Sequence, residues 1–147
     1  MERWIEHFDE LLNCDPPENP MEDTITQTPV IQSISTDPVS LEEVRLGIVS
    51  LRDGKASGSD NIVAELLKAD LETSSRKLHG IITIIWEEEV VPDEWLQGLI
   101  VKLPKKGDLG DCNNWRGITL LVIASKVLGK IIIRRMKEGA GIQLRPK

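Results

Sequence analysis

Four cations surround a polar turn in the stretch LPKKGDLGDCNNWRGITLL, which covers residues 103–121. Three precede the turn or open it and one follows it: Lys102, Lys105, Lys106 and Arg116. Lysine is a compact charge and arginine a rigid fork, and both suit phosphate oxygens. Gly107 and Gly110 let the chain turn and let backbone amides face an anion. Hairpin tips are also rich in lysine simply to stay soluble and to block edge pairing, so both interpretations stand at this point.

A second group of cations recurs at helical spacing nearer the C-terminus. Lys126, Lys130, Arg134 and Lys137 follow one another at i, i+4, i+8 and i+11, which places them on one face of a helix. Only Glu138 offers an opposite charge, and it lies at the end of the run. A solvated helix face usually interleaves both signs. The pattern therefore leaves contact with a nucleic-acid backbone and a plain solvated face as alternatives.

A glycine-rich loop, GKASGSD, does not match a nucleotide-binding P-loop. Six residues rather than four separate Gly47 from the Gly54-Lys55 pair, and Ala56 stands where a magnesium-binding Ser or Thr is needed. No Ser-His-Asp, Cys-His or HExxH arrangement is present in the sequence. We therefore predict no catalytic residue and no metal-ligating residue in this chain.

Composition places the chain among globular proteins. It has 147 residues, enough for one domain with a core, of which 40% are hydrophobic and 29% charged. Cys14 and Cys112 belong to no Cys/His cluster, which favours a reducing compartment without structural disulfides. The acidic N-terminus is unlike a signal peptide, and no apolar run approaches the roughly 20 residues that span a bilayer. We expect a soluble intracellular protein with no membrane partner; nucleus and cytoplasm are not distinguished.

The net charge of −6 conceals a strong asymmetry. Residues 1–94 carry 7 Lys and Arg against 21 Asp and Glu, a net charge of −14. Residues 95–147 carry 11 against 3, a net charge of +8. Such a division is typical of a chain whose basic part faces a polyanion, although mutual neutralisation of the two parts would give the same composition.

Hydrophobic periodicity predicts five helices and one β-hairpin, an α+β fold that is mostly helical. The helices are expected over 2–12, from a capping box formed by Ser40 and Glu43 to the Asp53-Gly54 stop, and over about 62–69, 74–89 and 124–138. The hairpin pairs GLIVKLP with RGITLLV, and Pro92-Asp93 predicts a turn, beside which Trp95 is expected to pack in the core. Residues 13–38 hold five of the eight prolines and predict a linker. The expected apolar faces contain Val44, Ile48, Leu51, Ile62, Leu66, Leu67, Leu78, Ile81, Ile82, Ile85, Trp86, Ala124, Val127, Leu128, Ile131, Ile132 and Met136.

Four motifs in a fixed order carry a family resemblance. They are DGKASGSDNIVAELLK, IWEEEVVPDEWLQGLIVKLPKKGD, NNWRGITLL and KVLGKIIIRRMK. Together they resemble the N-terminal part of non-LTR (LINE-type) retrotransposon reverse transcriptases, from about Val39 to the C-terminus. RWIEHFDELLN and the proline-rich stretch resemble the connector that precedes the polymerase in such polyproteins. The resemblance implies a connector over 1–38 and a partial reverse transcriptase domain over 39–147, namely the fingers of a right-hand polymerase with the palm absent.

The family assigns roles to the cations. The resemblance implies that Lys105 or Lys106, together with Arg116, clamps the triphosphate of the incoming deoxynucleotide. Lys102, Lys126, Lys130, Arg134 and Lys137 would contact nucleic acid, with the last helix along the template path. The implied partners are an RNA template or RNA–DNA hybrid, a deoxynucleotide triphosphate and the palm domain.

Two departures from the family pattern limit the implied activity. The usual GPDGIP reads GSDNIV here, so that Asn61 stands in the place of a glycine. Polymerisation also needs two aspartates that hold magnesium, and beyond Trp95 the only acids are Asp108, Asp111 and Glu138, none in the expected context. We therefore expect no cofactor in this chain, Mg²⁺ in the full-length parent, and no catalysis by the chain alone. The alternatives are a domesticated, non-catalytic nucleic-acid-binding module and a non-functional gene fragment.

The same resemblance predicts exposed apolar surface. In the parent polymerase the fingers pack on the palm, so the apolar faces of the hairpin and of the last helix would be partly uncovered in this chain. We expect association between copies unless a partner covers these faces.

Overall fold

A computed structural model describes residues 2–13 and 34–140 of the chain. Its described part contains six α-helices, one 3₁₀ turn and one two-stranded antiparallel sheet, which confirms the predicted α+β class. In chain order the elements are α1 (Glu2–Leu12), α2 (Leu41–Val49), α3 (Ala64–Ala69), α4 (Leu71–Glu88), α5 (Asp93–Leu96), β1 (Leu99–Pro104), the 3₁₀ turn (Cys112–Asn114), β2 (Trp115–Leu120) and α6 (Ile123–Ala140).

Capping residues set where the helices begin. The predicted capping box is confirmed, because the Glu43 amide donates to Ser40 Oγ and the Ser40 amide donates to the Glu43 carboxylate at 2.8 Å. Asp70 caps α4 by accepting from the Thr73 amide, a bond that also lowers the pKa of Asp70. This cap starts α4 at Leu71, three residues before the position expected from apolar periodicity.

The loop before α3 contains the departure from the family pattern. Asn61 has a φ of +58°, a left-handed conformation that asparagine tolerates better than most residues. Its backbone is held by a bond from the Asn61 amide to the Gly58 carbonyl, and Val63 is extended. The helix consequently begins at Ala64 rather than near Ile62.

Two compact units are distinguished by their internal contacts. The first comprises Met1–Val30 with Ile100–Ile118, and the second comprises Ile31–Leu99 with Thr119–Lys147. Residues 14–33, where most of the predicted linker lies, and residues 141–147 fall outside the described residues. The boundary expected near residue 38 stays a prediction.

The second unit is built on α2, α3, α4 and α6. Most of the predicted core is confirmed: Val44, Ile48, Leu51, Leu78, Ile82, Ile85, Val127, Leu128 and Ile131 are buried. The turn predicted at Pro92 contains the short helix α5, and its Trp95 packs against this core as expected. Leu66, Ile81, Ile132 and Met136 were expected inside but are 61%, 44%, 39% and 49% exposed, respectively.

The wrong assignments arise from helix geometry. On α3, which has only six residues, Ala64 is buried in place of Leu66. The buried stripe of α4 runs through Ser75, Leu78, Ile82 and Ile85, so its neighbour Ile81 falls outside the stripe. On α6 the stripe continues from Ile131 to Arg135, four residues on, which turns Ile132 and Met136 outward.

Arg135 is a buried cation with a full set of partners. Its guanidinium donates two bonds to the Glu43 carboxylate, at 2.6 and 2.8 Å, and one to the Asp37 carbonyl at 2.6 Å. The group also lies 5.0 Å from the Trp86 ring. The hydrogen bonds from Arg135, opposed by burial, lower the pKa of Glu43 to about 2. This pair joins α6 to the start of α2.

The segment from Ile34 to Val39 packs on the same unit rather than continuing as a free linker. The Thr36 carbonyl accepts from Trp86 Nε1 at 3.1 Å, and Val39 is buried. His79 Nε2 lies 2.9 Å from the Val39 carbonyl oxygen, so this histidine is engaged with backbone.

The first unit consists of α1 and the hairpin. Phe8 is its buried aromatic residue and packs where Gly117 lacks a side chain, since a Cβ there would lie 2.8 Å from the Phe8 ring. Ile100, Leu103 and Ile118 on the hairpin are each at least 40% exposed. On α6, Ile133 is 53% exposed, and Ile132 and Met136 are also turned outward, so both elements carry exposed apolar side chains.

Candidate nucleic-acid interface

The tip of the hairpin is held by its own hydrogen bonds. Asp108 accepts from the Gly110 amide at 2.8 Å, and the Asn114 side chain donates to the Asp108 carbonyl at 2.8 Å. Asp111 accepts from the Asn113 amide at 2.9 Å and thereby opens the 3₁₀ turn. These aspartates act as turn residues, so they do not form a carboxylate pair aimed at a ligand.

Lys105 lies where this loop leaves β1. Its amide donates to the Asn114 carbonyl at 2.7 Å, and its ammonium group donates to the Asn113 carbonyl at 2.9 Å. An ammonium group has three hydrogens, so two are left for an anion. The loop therefore fixes the position of the charge and leaves two of its three N–H donors available.

Lys106 and Arg116 are exposed on the same hairpin. Neither forms an ion pair within residues 2–13 and 34–140. Arg116 follows Trp115 in β2, and successive side chains of a strand point to opposite faces. Because Trp115 contacts α1, Arg116 projects from the face of the hairpin that α1 does not cover.

Lys102 has different surroundings from the other hairpin cations. Its ammonium nitrogen lies 4.2 Å from the centroid of the Trp4 ring and 5.2 Å from that of Trp115. The two rings meet edge to face at 5.0 Å. Cation–π contacts of this kind contribute about 0.5–1 kcal/mol at exposed sites. The structure thus places Lys102 on the face that α1 covers, apart from Arg116, and its predicted contact with nucleic acid stays a prediction.

Three of the four predicted helix cations line one groove in the second unit. The groove lies between α2 and α6, has a volume of about 540 Å³, and is bordered by Lys130, Arg134 and Lys137. Exposed apolar side chains, including Leu46 and Ile133, form part of its wall. Lys126 is half-buried and does not line this groove.

The charges of the groove are partly compensated. Arg134 donates to Glu138 at 3.0 Å, and Glu43, the other acid of the lining, is paired with Arg135. Lys130 donates to the Ser50 carbonyl at 3.1 Å, a bond that orients its charge without neutralising it. Among the described residues, Lys130 and Lys137 therefore carry the excess positive charge of the groove.

The described residues do not form a metal site of the kind polymerisation needs. Two magnesium ions require several converging carboxylates. Within the part of the chain that the structure describes, no three His, Cys, Asp or Glu side chains converge on one point. None of the helices in the described ranges is both long and apolar enough to cross a bilayer.

No protein-family model matches the chain, whereas several curated proteins do. It is 28% identical over 101 residues to the "Transposon TX1 uncharacterized 149 kDa protein" of Xenopus laevis. The matched region covers 69% of this chain and 8% of that protein. It is 27% identical over 109 residues to the "Retrovirus-related Pol polyprotein from type-1 retrotransposable element R2" of Popillia japonica, covering 74% and 14%. It is 28% identical over 113 residues to the "Probable RNA-directed DNA polymerase from transposon BS" of Drosophila melanogaster, covering 76% and 12%.

The chain spans between 8% and 14% of the length of these curated relatives. All three matches cover more than two thirds of the chain, and the motifs quoted above had predicted this relationship from the sequence. This chain is therefore a relative of non-LTR retrotransposon proteins and RNA-directed DNA polymerases.

Proposed function

We propose that the chain forms the fingers portion of a retrotransposon RNA-directed DNA polymerase. In this proposal the hairpin binds the triphosphate of an incoming deoxynucleotide, and α6 binds the RNA template or RNA–DNA hybrid. The observation that carries it is the placement of Lys105, Lys106 and Arg116 around a hydrogen-bonded hairpin tip, with no ion pair to any of them among the described residues.

The chemistry of these side chains suits phosphoryl transfer. Negative charge builds on phosphate oxygens as pyrophosphate leaves, and fixed cations stabilise that charge at little reorganisation cost. Arg116 supplies a planar fork that can hold two oxygens, and Lys105 supplies a point charge whose position the Asn113 carbonyl sets. The described residues contain no cluster of carboxylates that could hold the metal ions of polymerisation. The role proposed for the hairpin is therefore to bind and position the triphosphate.

The hairpin assignment is tested by binding of a deoxynucleotide triphosphate to the full chain, followed by tryptophan fluorescence because Trp115 adjoins Arg116. The test variant is Lys105→Ala with Lys106→Ala and Arg116→Ala. The matched control is Arg52→Ala with Lys55→Ala and Lys77→Ala, which removes the same charges from exposed positions in the second unit. We expect the hairpin variant to weaken binding by about tenfold or more, since charge-assisted bonds to phosphate are lost. Equal weakening in the control would refute the assignment.

A nucleic-acid-binding module that works without nucleotide is the second candidate. The observation that favours it is that Lys130, Arg134 and Lys137 are positioned by α2 and α6, within a unit that has its own buried core. Binding of a polynucleotide by this groove does not require the hairpin cations. The groove would contact backbone phosphates, which carry no sequence information.

Binding of an RNA–DNA hybrid at several salt concentrations separates the two candidates. Removing Lys130 and Lys137 should lower the slope of log affinity against log salt by roughly 0.7–0.9 for each phosphate that is no longer neutralised. If the hairpin variant also loses hybrid and nucleotide binding, the fingers proposal is supported. If only the groove variant loses hybrid binding, the module is supported. No binding at low salt would contradict both and leave a chain without this function.

A further inference from the structure

Helix α1 presents an exposed face that is both apolar and acidic. Glu2, Ile5, Asp9 and Leu12 are spaced at i, i+3, i+7 and i+10, which aligns them along one side of the helix. Ile5 is 65% exposed and Leu12 is 57% exposed, whereas Phe8 is buried against the hairpin. This face is an amphipathic helix surface that none of the described residues of its own unit buries.

The groove between α2 and α6 has the complementary character. Lys130, Ile133, Arg134 and Lys137 are spaced at i, i+3, i+4 and i+7 along α6, and Ile133 is 53% exposed. Leu46 of α2, 37% exposed, extends the apolar strip across the groove. An amphipathic helix with apolar residues beside acids would bury this strip and meet the lysines.

The dimensions of the two surfaces agree. At a rise of about 1.5 Å per residue, α1 is about 16 Å long and the stretch from Lys130 to Lys137 is about 11 Å long. Two turns of α1 therefore suffice to cover the basic part of the groove. The net charge is −14 over residues 1–94, which include α1, and +8 over residues 95–147, which include α6. The pairing therefore brings an element of the acidic part against an element of the basic part.

We propose that α1 of one copy docks into the α2–α6 groove of a second copy, with Ile5 and Leu12 on the Leu46–Ile133 strip and Glu2 facing the groove lysines. The contact joins two different surfaces, so it is heterologous and can propagate from copy to copy. It does not rest on the proposed polymerase role, but it uses the groove assigned to nucleic acid above, so docked α1 and a polynucleotide would compete for Lys130 and Lys137. Its strength depends on salt, because part of it is an exposed electrostatic attraction.

The test is a charge exchange on the full chain, with nucleic acid removed and association followed by sedimentation velocity. One variant carries Glu2→Lys and Asp9→Lys in α1; the other carries Lys130→Glu and Lys137→Glu in the groove. Each variant alone places like charges on both surfaces, so its self-association should weaken by about tenfold or more relative to the unmodified chain. A 1:1 mixture pairs each altered surface with its complement and should associate again, which a folding defect would not allow.

The control is Glu87→Lys with Glu88→Lys, which makes the same charge change at exposed positions of α4 and should associate as the unmodified chain does. Three results would overturn the proposal. The first is an unmodified chain that stays monomeric at low salt and high concentration, which docking of α1 within a single copy would produce. The second is a mixture that associates no better than either variant alone. The third is a control variant whose association is weakened as much as that of the α1 variant.

Discussion

At the scale of single residues, the buried pair of Arg135 and Glu43 could not be predicted from any sequence pattern. Glu43 was assigned to the capping box, which the structure confirms, and that role gave no reason to seek a second partner. Arg135 follows Arg134 and resembles one more cation of a solvated stripe. The pair is separated by 92 residues, so no local spacing could indicate it. Apolar periodicity instead placed Ile132 and Met136 inside.

Replacing Arg135 with Ala should cost about 3 kcal/mol of unfolding free energy. The side chain is 8% exposed, and its loss removes the cationic partner of the Glu43 carboxylate and a hydrogen-bond donor to the Asp37 carbonyl. Urea unfolding measures the change. Arg134→Ala is the matched control, since its pair with Glu138 is 52% and 65% exposed and should matter by less than about 1 kcal/mol. Similar losses in both variants would contradict this account of Arg135.

The same pair predicts a specific dependence of stability on pH. The folded-state pKa of Glu43 is about 2, below the ordinary 4.5, so the folded state favours the ionised form. The contribution of ionised Glu43 to the free energy of unfolding is complete above pH 4.5 and is lost as the pH falls through 2. The stability advantage of the unmodified chain over Glu43→Gln should shrink by up to about 3 kcal/mol across that range. Denaturant unfolding of both proteins at pH 6 and pH 2.5 measures it; a constant difference would contradict the prediction.

At the scale of elements, the sequence predicts which helices and strands exist better than where they end. The hairpin and all the long helices follow from periodicity. The starts of α3 and α4 do not, because a left-handed Asn61 and a capping Asp70 determine them. The hairpin motif was also predicted as a cluster of cations, yet the alternation of strand residues divides it. Lys102 lies against Trp4 and Trp115, and Arg116 projects from the other face.

Gly58 shows what a glycine in the GKASGSD loop does for the elements around it. A Cβ at this position would lie 2.6 Å from the Val122 amide nitrogen and 2.7 Å from the Leu121 carbonyl carbon. Both are backbone atoms, which cannot rotate away as a side-chain end can. The loop is therefore packed directly on the chain that leaves β2 and enters α6. This is a structural reason for the glycine, distinct from phosphate binding.

Gly58→Ala should consequently destabilise the chain by about 1–3 kcal/mol, the usual range for forcing a methyl group into a packed site. Gly80→Ala is the opposite case, because it lies within α4 and nothing approaches its added Cβ within 4 Å. That change should stabilise the helix by roughly 0.5–1 kcal/mol. Thermal unfolding of the two variants provides the comparison, and equal effects would show that the close approach at Gly58 is relaxed at little cost.

At the scale of the whole molecule, the two units have very different interiors. The second unit buries a contiguous cluster from α2, α4 and α6, with Val44, Ile48, Ile82 and Val127 all at 0% exposure. The described part of the first unit buries one large apolar residue, Phe8, between a single helix and a two-stranded sheet. Hydrophobic periodicity predicted the core of the second unit, since the residues of that core repeat along long helices. It could not predict the contact of Phe8 with Gly117, residues 109 positions apart in the chain.

An isolated two-stranded hairpin is marginally stable in water, so Phe8 should control the local opening of the first unit. We expect Phe8→Ala to lower the free energy of local opening of the first unit by about 3 kcal/mol. This corresponds to roughly 100-fold faster hydrogen exchange at the β1 and β2 amides. Amides of α4 should exchange at an unchanged rate, because their protection depends on the other core. Exchange followed by mass spectrometry resolves the two sets of peptides, and Ile5→Ala, an exposed position on the same helix, serves as the control. Acceleration of α4 exchange to the same degree would mean that the hairpin opens only when the entire molecule unfolds.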